Sequence, residues 1–249
     1  MSKYNSCFIG FILLLVGIVS PVTAASEKAV SFKTDDGIVI AAALSVPSDH
    51  SKKAPAVIFI HQGGSDKSEW TRHPLFEAVV KEGMIALAYD VRGHGASGGK
   101  ANFSTLFDDP KQAPLDLKAA ITYLAATDNT DQGRIAIIGA SIGSNLAVMA
   151  MGKSKFNVKT AVAISGKTSA VYNLAGAEEG DLAFGSIYYI ASAEEQNGLR
   201  AAWAEELFER TASPRKIEII ENSNGHGVSI LDDDPTLSDR ILLWLRDTL

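Results

Sequence analysis

The chain has 249 residues, of which 46% are hydrophobic, 21% charged and 8% aromatic. It is too apolar to be disordered, too low in charge for a coiled coil, and of a length for one large domain or two small ones. A formal net charge of −6 argues against a nucleic-acid partner, which needs basic patches. The single cysteine, Cys7, can form no internal disulfide and excludes metal sites built from cysteine pairs.

Residues 1–24 read as a targeting segment. Lys3 supplies a positive start, residues 8–19 form an apolar run, and Val22-Thr23-Ala24 offers small residues for cleavage. The run is about 12 residues, short of the roughly 20 that span a bilayer. The expectation is a secretory signal peptide cleaved after Ala24 or Ala25, export to the periplasm or outside the cell, and no stable membrane anchor afterwards. Cys7 would leave with the signal. Residues 25–249 are then expected to form one domain.

From residue 29 onward, strand-like and helix-like segments alternate. Residues 29–33 and 39–46 flank Asp35-Asp36-Gly37 and predict a hairpin. Residues 56–60 (AVIFI) and 85–89 (IALAY) are wholly apolar runs, as buried parallel strands require, with a helix over 75–81 between them. Residues 116–125 have helical spacing, 135–138 predict another buried strand, and 145–151 a helix. Strands follow at 160–164, 187–191 and 216–220, with helices at 199–212 and 238–249. This order predicts an α/β fold: a mostly parallel, doubly wound sheet with helices on both faces and the hairpin as its antiparallel edge.

In such sheets ligands bind beyond the carboxyl ends of the strands. After the 135–138 strand comes Gly139-Ala140-Ser141-Ile142-Gly143, a G-x-S-x-G between strand and helix. That context marks a sharp turn presenting a nucleophilic Ser hydroxyl. No Gly-Lys-Ser/Thr follows, so a phosphate-binding loop is the weaker reading.

With this motif the chain resembles the α/β-hydrolase family, and within it the small dienelactone-hydrolase-like esterases. The resemblance rests on His61-Gln62-Gly63-Gly64, Asp90-Val91-Arg92-Gly93-His94-Gly95-Ala96-Ser97, the Ser141 motif and Asn224-Gly225-His226-Gly227, in the family's order. It implies Ser141 as nucleophile and His226 as its base. The acid that orients His226 is expected after the next strand but one, where Glu194 and Glu195 stand; the family's spacing selects Glu195, with Glu194 as the alternative. Oxyanion donors would be the backbone N–H of Ile142 and that of Gly63, with Gln62 as the alternative.

His61 and His94 match positions that shape loops, while His50 and His73 read as solvated. Asp90 and Arg92 are expected to pair with each other in a braced turn, and Asp232-Asp233-Asp234 to be a solvated helix entry. The histidine spacings match no metal motif, and neither metal nor cofactor is expected. Only about twenty residues separate the fourth and fifth central strands, which implies a minimal cap and an open site. Tyr172, Leu174, Phe184 and Phe103 are candidate pocket walls or core residues. The resulting expectation is an exported serine hydrolase of small soluble esters. A peptidase or acyltransferase with the same triad, or a non-catalytic binding protein on this fold, are the alternatives.

Overall fold

The computed structural model describes residues 27–49 and 51–249. The expected signal segment and His50 lie outside the described residues. Eight strands form one sheet: β1 (Lys28–Lys33), β2 (Val39–Ser45), β3 (Ala54–Ile60), β4 (Ile85–Tyr89), β5 (Thr130–Ala140), β6 (Thr160–Ile164), β7 (Phe184–Ser192) and β8 (Thr211–Ile220). Their spatial order is β1-β2-β4-β3-β5-β6-β7-β8. The pairs β1·β2 and β2·β4 are antiparallel and all others parallel. The helices are α1 (Ser68–Thr71), α2 (Pro74–Lys81), α3 (Phe103–Phe107), α4 (Ala113–Ala125), α5 (Ile142–Met151), α6 (Thr168–Ala175), α7 (Leu199–Glu209), α8 (Ile230–Asp233) and α9 (Leu237–Thr248).

The apolar central strands are covered on both faces. On β3, Ala56, Ile58 and Ile60 join one core with α4, α5, α6 and α7, while Val57 and Phe59 join the other with α1, α2, α8 and α9. This is why these strands lack the apolar–polar alternation of a half-exposed sheet.

The register brings the functional loops together. Ile60 sits beside Gly139, Ala140 beside Ile164, Ile164 beside Ile190, and Ser192 beside Ile220. The turns after β3, β5, β6, β7 and β8 therefore all rise from the same carboxyl edge.

Several boundaries differ from the sequence reading. The helix expected over 199–212 ends at Glu209, because Thr211 and Ala212 pair with Phe184 and Gly185 of β7. The Tyr189 hydroxyl lies 2.8 Å from Thr211 Oγ1 and helps hold that start. Helix α3, capped by Asn102 Oδ1 accepting from Thr105 N at 2.9 Å, had no clear periodic signal. Between β6 and β7 the one helix is α6, so the described residues there hold no large cap.

The expected Asp90–Arg92 pair is corrected. Arg92 is buried and pairs instead with buried Asp116 (Nη2–Oδ1 2.7 Å, Nε–Oδ1 2.9 Å) and with Asp36 (Nη1–Oδ2 2.8 Å). Asp90 turns the other way. It accepts from Lys67 N (2.7 Å), Lys67 Nζ (2.9 Å) and Ala96 N (2.8 Å). The chain folds so tightly over this carboxylate that a Cβ on Gly95 would lie 2.3 Å from Asp90 Oδ2.

The stretch is thus a braced turn, as expected, but each charge takes a partner from another segment. Removing one member of a buried ion pair strands the other in low dielectric. Asp116→Ala is expected to lower unfolding free energy by about 3–5 kcal/mol in urea titrations; a loss below about 1 kcal/mol would show that Arg92 finds adequate compensation from Asp36 and from Gln112 Oε1, which accepts from its Nη1 at 2.9 Å.

Candidate active site

The turn after β5 is built around two glycines. A Cβ on Gly139 would lie 2.1 Å from Gly143 O, and one on Gly143 would lie 2.4 Å from Ile60 O. Strand β5, helix α5 and strand β3 pass too close for any side chain at either position. Between them Ser141 adopts φ 52°, ψ −109°, a strained conformation for a residue with a Cβ. Its N–H donates to Ile164 O at 2.8 Å, and its carbonyl accepts from Asn145 N at 3.1 Å, which ties the turn to β6 and α5. Ile142 is the first residue of α5, so its N–H is one of the free donors of a helix N-terminus.

The turn after β3 runs alongside. A Cβ built on Gly63 would lie 3.7 Å from Ile142 Cγ2, so Gly63 and Ile142 are neighbours. The two proposed oxyanion donors after His61 differ in their commitments. The N–H of Gln62 donates to Glu69 Oε2 at 2.9 Å, whereas no acceptor among the described residues takes the Gly63 N–H. Gln62 instead braces the site: its Oε1 accepts from Val228 N at 3.3 Å in the histidine loop.

His226 follows β8 on an extended backbone, with 37% of its side chain exposed. Gly227 follows with φ 59°, and a Cβ there would lie 2.0 Å from Gln62 Oε1 and 3.4 Å from Ala140 Cβ. Only glycine lets the histidine loop lie this close to the residue before Ser141. His226 Nδ1 faces Glu195 Oε1 at 2.6 Å. Glu195 is buried, whereas Glu194 is exposed and lines a surface cavity with Asn197, Gly198 and Asn224. The structure therefore brings Glu195, and not Glu194, to the histidine.

Three residues of this neighbourhood had escaped sequence reasoning. Ser165, just after β6 with φ 57°, donates through Oγ to Glu195 Oε2 at 3.1 Å and accepts from Gly227 N at 3.0 Å. Arg200 Nε lies 3.1 Å from Glu195 Oε1. Glu69, on α1, holds the Gln62 N–H and faces His226 electrostatically; burial raises its pKa above the ordinary carboxylate value. Ser165 stands at a strand end in the sequence, in a Ser-Gly-Lys stretch that matches no motif. Arg200 and Glu69 lie in helical segments where no motif marks them.

Three further histidines lie among the described residues. His61 is fully buried; its Nε2 accepts from Val91 N at 2.9 Å, so its Nδ1–H donates to Gln62 O at 2.7 Å. Burial pulls its pKa down to about 4, and it is neutral at pH 7. The His94 ring lies 5.1 Å from that of His61. His73 is half-buried rather than solvated, and caps α2 by accepting from Leu75 N at 3.1 Å. Of the Asp232–Asp234 run, Asp233 accepts from the Ser223 hydroxyl and Asp234 pairs with Arg240 at 2.6 Å. Tyr172, Leu174 and Phe184 belong to the core, while Phe103 is 62% exposed. No group of three or more potential ligands could hold a metal ion among the described residues.

A profile of the X-Pro dipeptidyl-peptidase (S15) family matches residues 36–216, a span that includes the Ser141 turn and Glu195. The chain belongs to this family. Its sheet is that of the α/β-hydrolases. A thiohydrolase of Arthrinium phaeospermum is 32% identical over 139 residues, 56% of this chain and 42% of that protein. The chain thus matches less than half the length of that curated relative. An esterase of Pyrococcus furiosus superposes with a TM-score of 0.72 at 21% identity, covering 90% of this chain and 93% of that one. A dienelactone hydrolase of Anabaena variabilis superposes with a TM-score of 0.70 at 17% identity, covering 91% and 99%. At these identities the two structures establish the fold alone.

The buried His61 sets a pH dependence. Between its folded pKa of about 4 and the ordinary value of 6.5, the unfolded chain binds a proton that the folded chain does not. Its contribution is complete at neutral pH and is lost as pH falls through this window, by about 3 kcal/mol in total. Wild type is expected to be more stable than His61→Asn at pH 7, with the gap narrowing from pH 6.5 to 4 in paired denaturation curves. A constant gap would contradict the burial of a neutral imidazole.

Proposed function

We propose that this hydrolase cleaves small soluble carboxylic esters through a Ser141–His226–Glu195 triad and an acyl-enzyme. What supports this reading is one arrangement. Ser141 occupies a strained strand-to-helix turn, and the loop carrying His226, paired with Glu195 of the turn after β7, is packed against that turn through Gly227.

A Ser hydroxyl is a weak nucleophile unless a base takes its proton. In the proposed step Ser141 Oγ attacks the ester carbonyl carbon while His226 Nε2 receives the Oγ proton. Glu195, at Nδ1, fixes the tautomer and stabilises the imidazolium. The Ile142 and Gly63 N–H groups hold the oxyanion. The carbonyl–alkoxy bond breaks, and the alcohol leaves with the proton from His226. Water, deprotonated by His226, then attacks the acyl carbon and releases the acid and free Ser141.

The single helix between β6 and β7 supports an open site and hence small substrates. The similarity to a thiohydrolase supports acyl transfer to water as the reaction class. The name of the matching family favours a second reading, a peptidase acting on X-Pro peptides with the same three residues. Export through the segment at residues 1–24 is part of the proposal. No helix among the described residues is long and apolar enough to cross a membrane.

Assay of p-nitrophenyl esters from acetate to palmitate, beside an X-Pro p-nitroanilide, tests the substrate class. Short-chain esters are expected to be turned over fastest; preference for palmitate or for the anilide would overturn it. Ser141→Ala is expected to lower kcat by about 10⁶-fold and Glu195→Gln by about 10³–10⁴-fold. Glu194→Gln should change it less than about threefold. Equal activity in the two glutamate variants would remove Glu195 from the triad.

A further inference from the structure

Arg200 is an unusual neighbour for a triad acid. It lies on α7, buried to 9% exposure. Its Nε stands 3.1 Å from Glu195 Oε1, the same oxygen that His226 Nδ1 approaches at 2.6 Å. This contact is an ion pair without hydrogen-bond alignment. The guanidinium is fixed elsewhere: Nη1 donates to Ser165 O at 3.1 Å and to Gly166 O at 3.3 Å, and the group lies 5.1 Å from the centre of the Trp203 ring. It is thus held by the backbone after β6 and by its own helix, and cannot swing away from the carboxylate without breaking those bonds.

We propose that Arg200 is a positioning residue that tunes the catalytic base: by sharing Glu195 with His226, it keeps the imidazole uncharged, and able to accept the Ser141 proton, at lower pH than the three triad residues alone would allow. The inference rests on the triad proposed above. Its physics is Coulombic. A carboxylate alone at Nδ1 favours the imidazolium, and a fixed cation on the same oxygen cancels part of that field.

The charged groups around the base come from three elements. Glu195, after β7, and Glu69, on α1, favour its protonation, while Arg200, on α7, opposes it. Lys167, at the start of α6, lies 5.8 Å from the centre of the same Trp203 ring. Burial lowers the pKa of Arg200 and Glu195 counters that, but an arginine remains charged across the working range of a hydrolase.

Arg200 also has a structural task. It joins the turn after β6, whose Ser165 hydroxyl contacts Glu195 and the histidine loop, to the turn after β7. A structural task alone would lower activity at every pH; tuning moves the acid limb of the profile.

The test is kcat/KM for p-nitrophenyl acetate from pH 4 to 9 in wild type, Arg200→Lys, Arg200→Met and Arg200→Gln. The neutral variants are expected to lose activity on acidification about half to one pH unit earlier than wild type, with Arg200→Lys close to wild type. An unmoved acid limb in the neutral variants, or an equal shift in Arg200→Lys, would overturn the proposal. For variants that fold poorly, the pH dependence of fluorophosphonate labelling reads only competent molecules. A neutral variant that labels at no pH while Arg200→Lys labels normally would assign Arg200 a purely structural role. His226→Ala separates the two layers of inference. If it retains wild-type activity, the triad itself falls; if it is inactive and the acid limb of the Arg200 variants stays still, only the Arg200 proposal falls.

Discussion

The backbone at Ser141, held at φ 52°, ψ −109°, is the constraint around which the carboxyl edge of the sheet is organised. Such a conformation persists only where its surroundings over-determine it. Here Gly139 and Gly143 let β5, α5 and β3 approach closer than any side chain permits, and the Ser141 N–H is fixed on Ile164 O. The parallel register then places the turns after β3, β6, β7 and β8 beside that residue. The local strain is small beside the burial of two apolar cores, one on each face of the sheet.

A second layer of polar contacts ties those turns into one unit. Gln62 joins the β3 turn to the histidine loop, and Ser165 joins the β6 turn to both Glu195 and Gly227. Arg200 joins the β6 turn to Glu195. Apart from the Arg200–Glu195 pair, each of these contacts links residues far apart in sequence. The base is therefore oriented by the fold as a whole rather than by its own loop, and its geometry is sensitive to positions that never meet a substrate.

Much of this could be read from the sequence where a backbone demand restricts residue type. The wholly apolar runs of β4 and β6 mark buried parallel strands, and glycines at 139, 143 and 227 mark places where chains touch. Spacing distinguished Glu195 from Glu194 only by analogy, since both follow the same strand; burial distinguishes them physically, one against His226 and the other in solvent. Asp90 and Arg92 stand two residues apart in sequence but do not pair in space. The tight fold over Asp90 turns the two side chains to different partners, Lys67 and Asp116. Arg200 left no trace in the pattern of α7, where a buried arginine looks like any polar residue of a surface helix. Its meaning comes only from where β6 and β7 end.

In the proposed reaction the strained turn presents Ser141 as a covalent nucleophile. Peptide mass mapping after reaction with a fluorophosphonate tests this directly. One adduct per chain, carried by Ser141, is the result expected. Labelling at another serine, or no labelling of the folded protein, would contradict it.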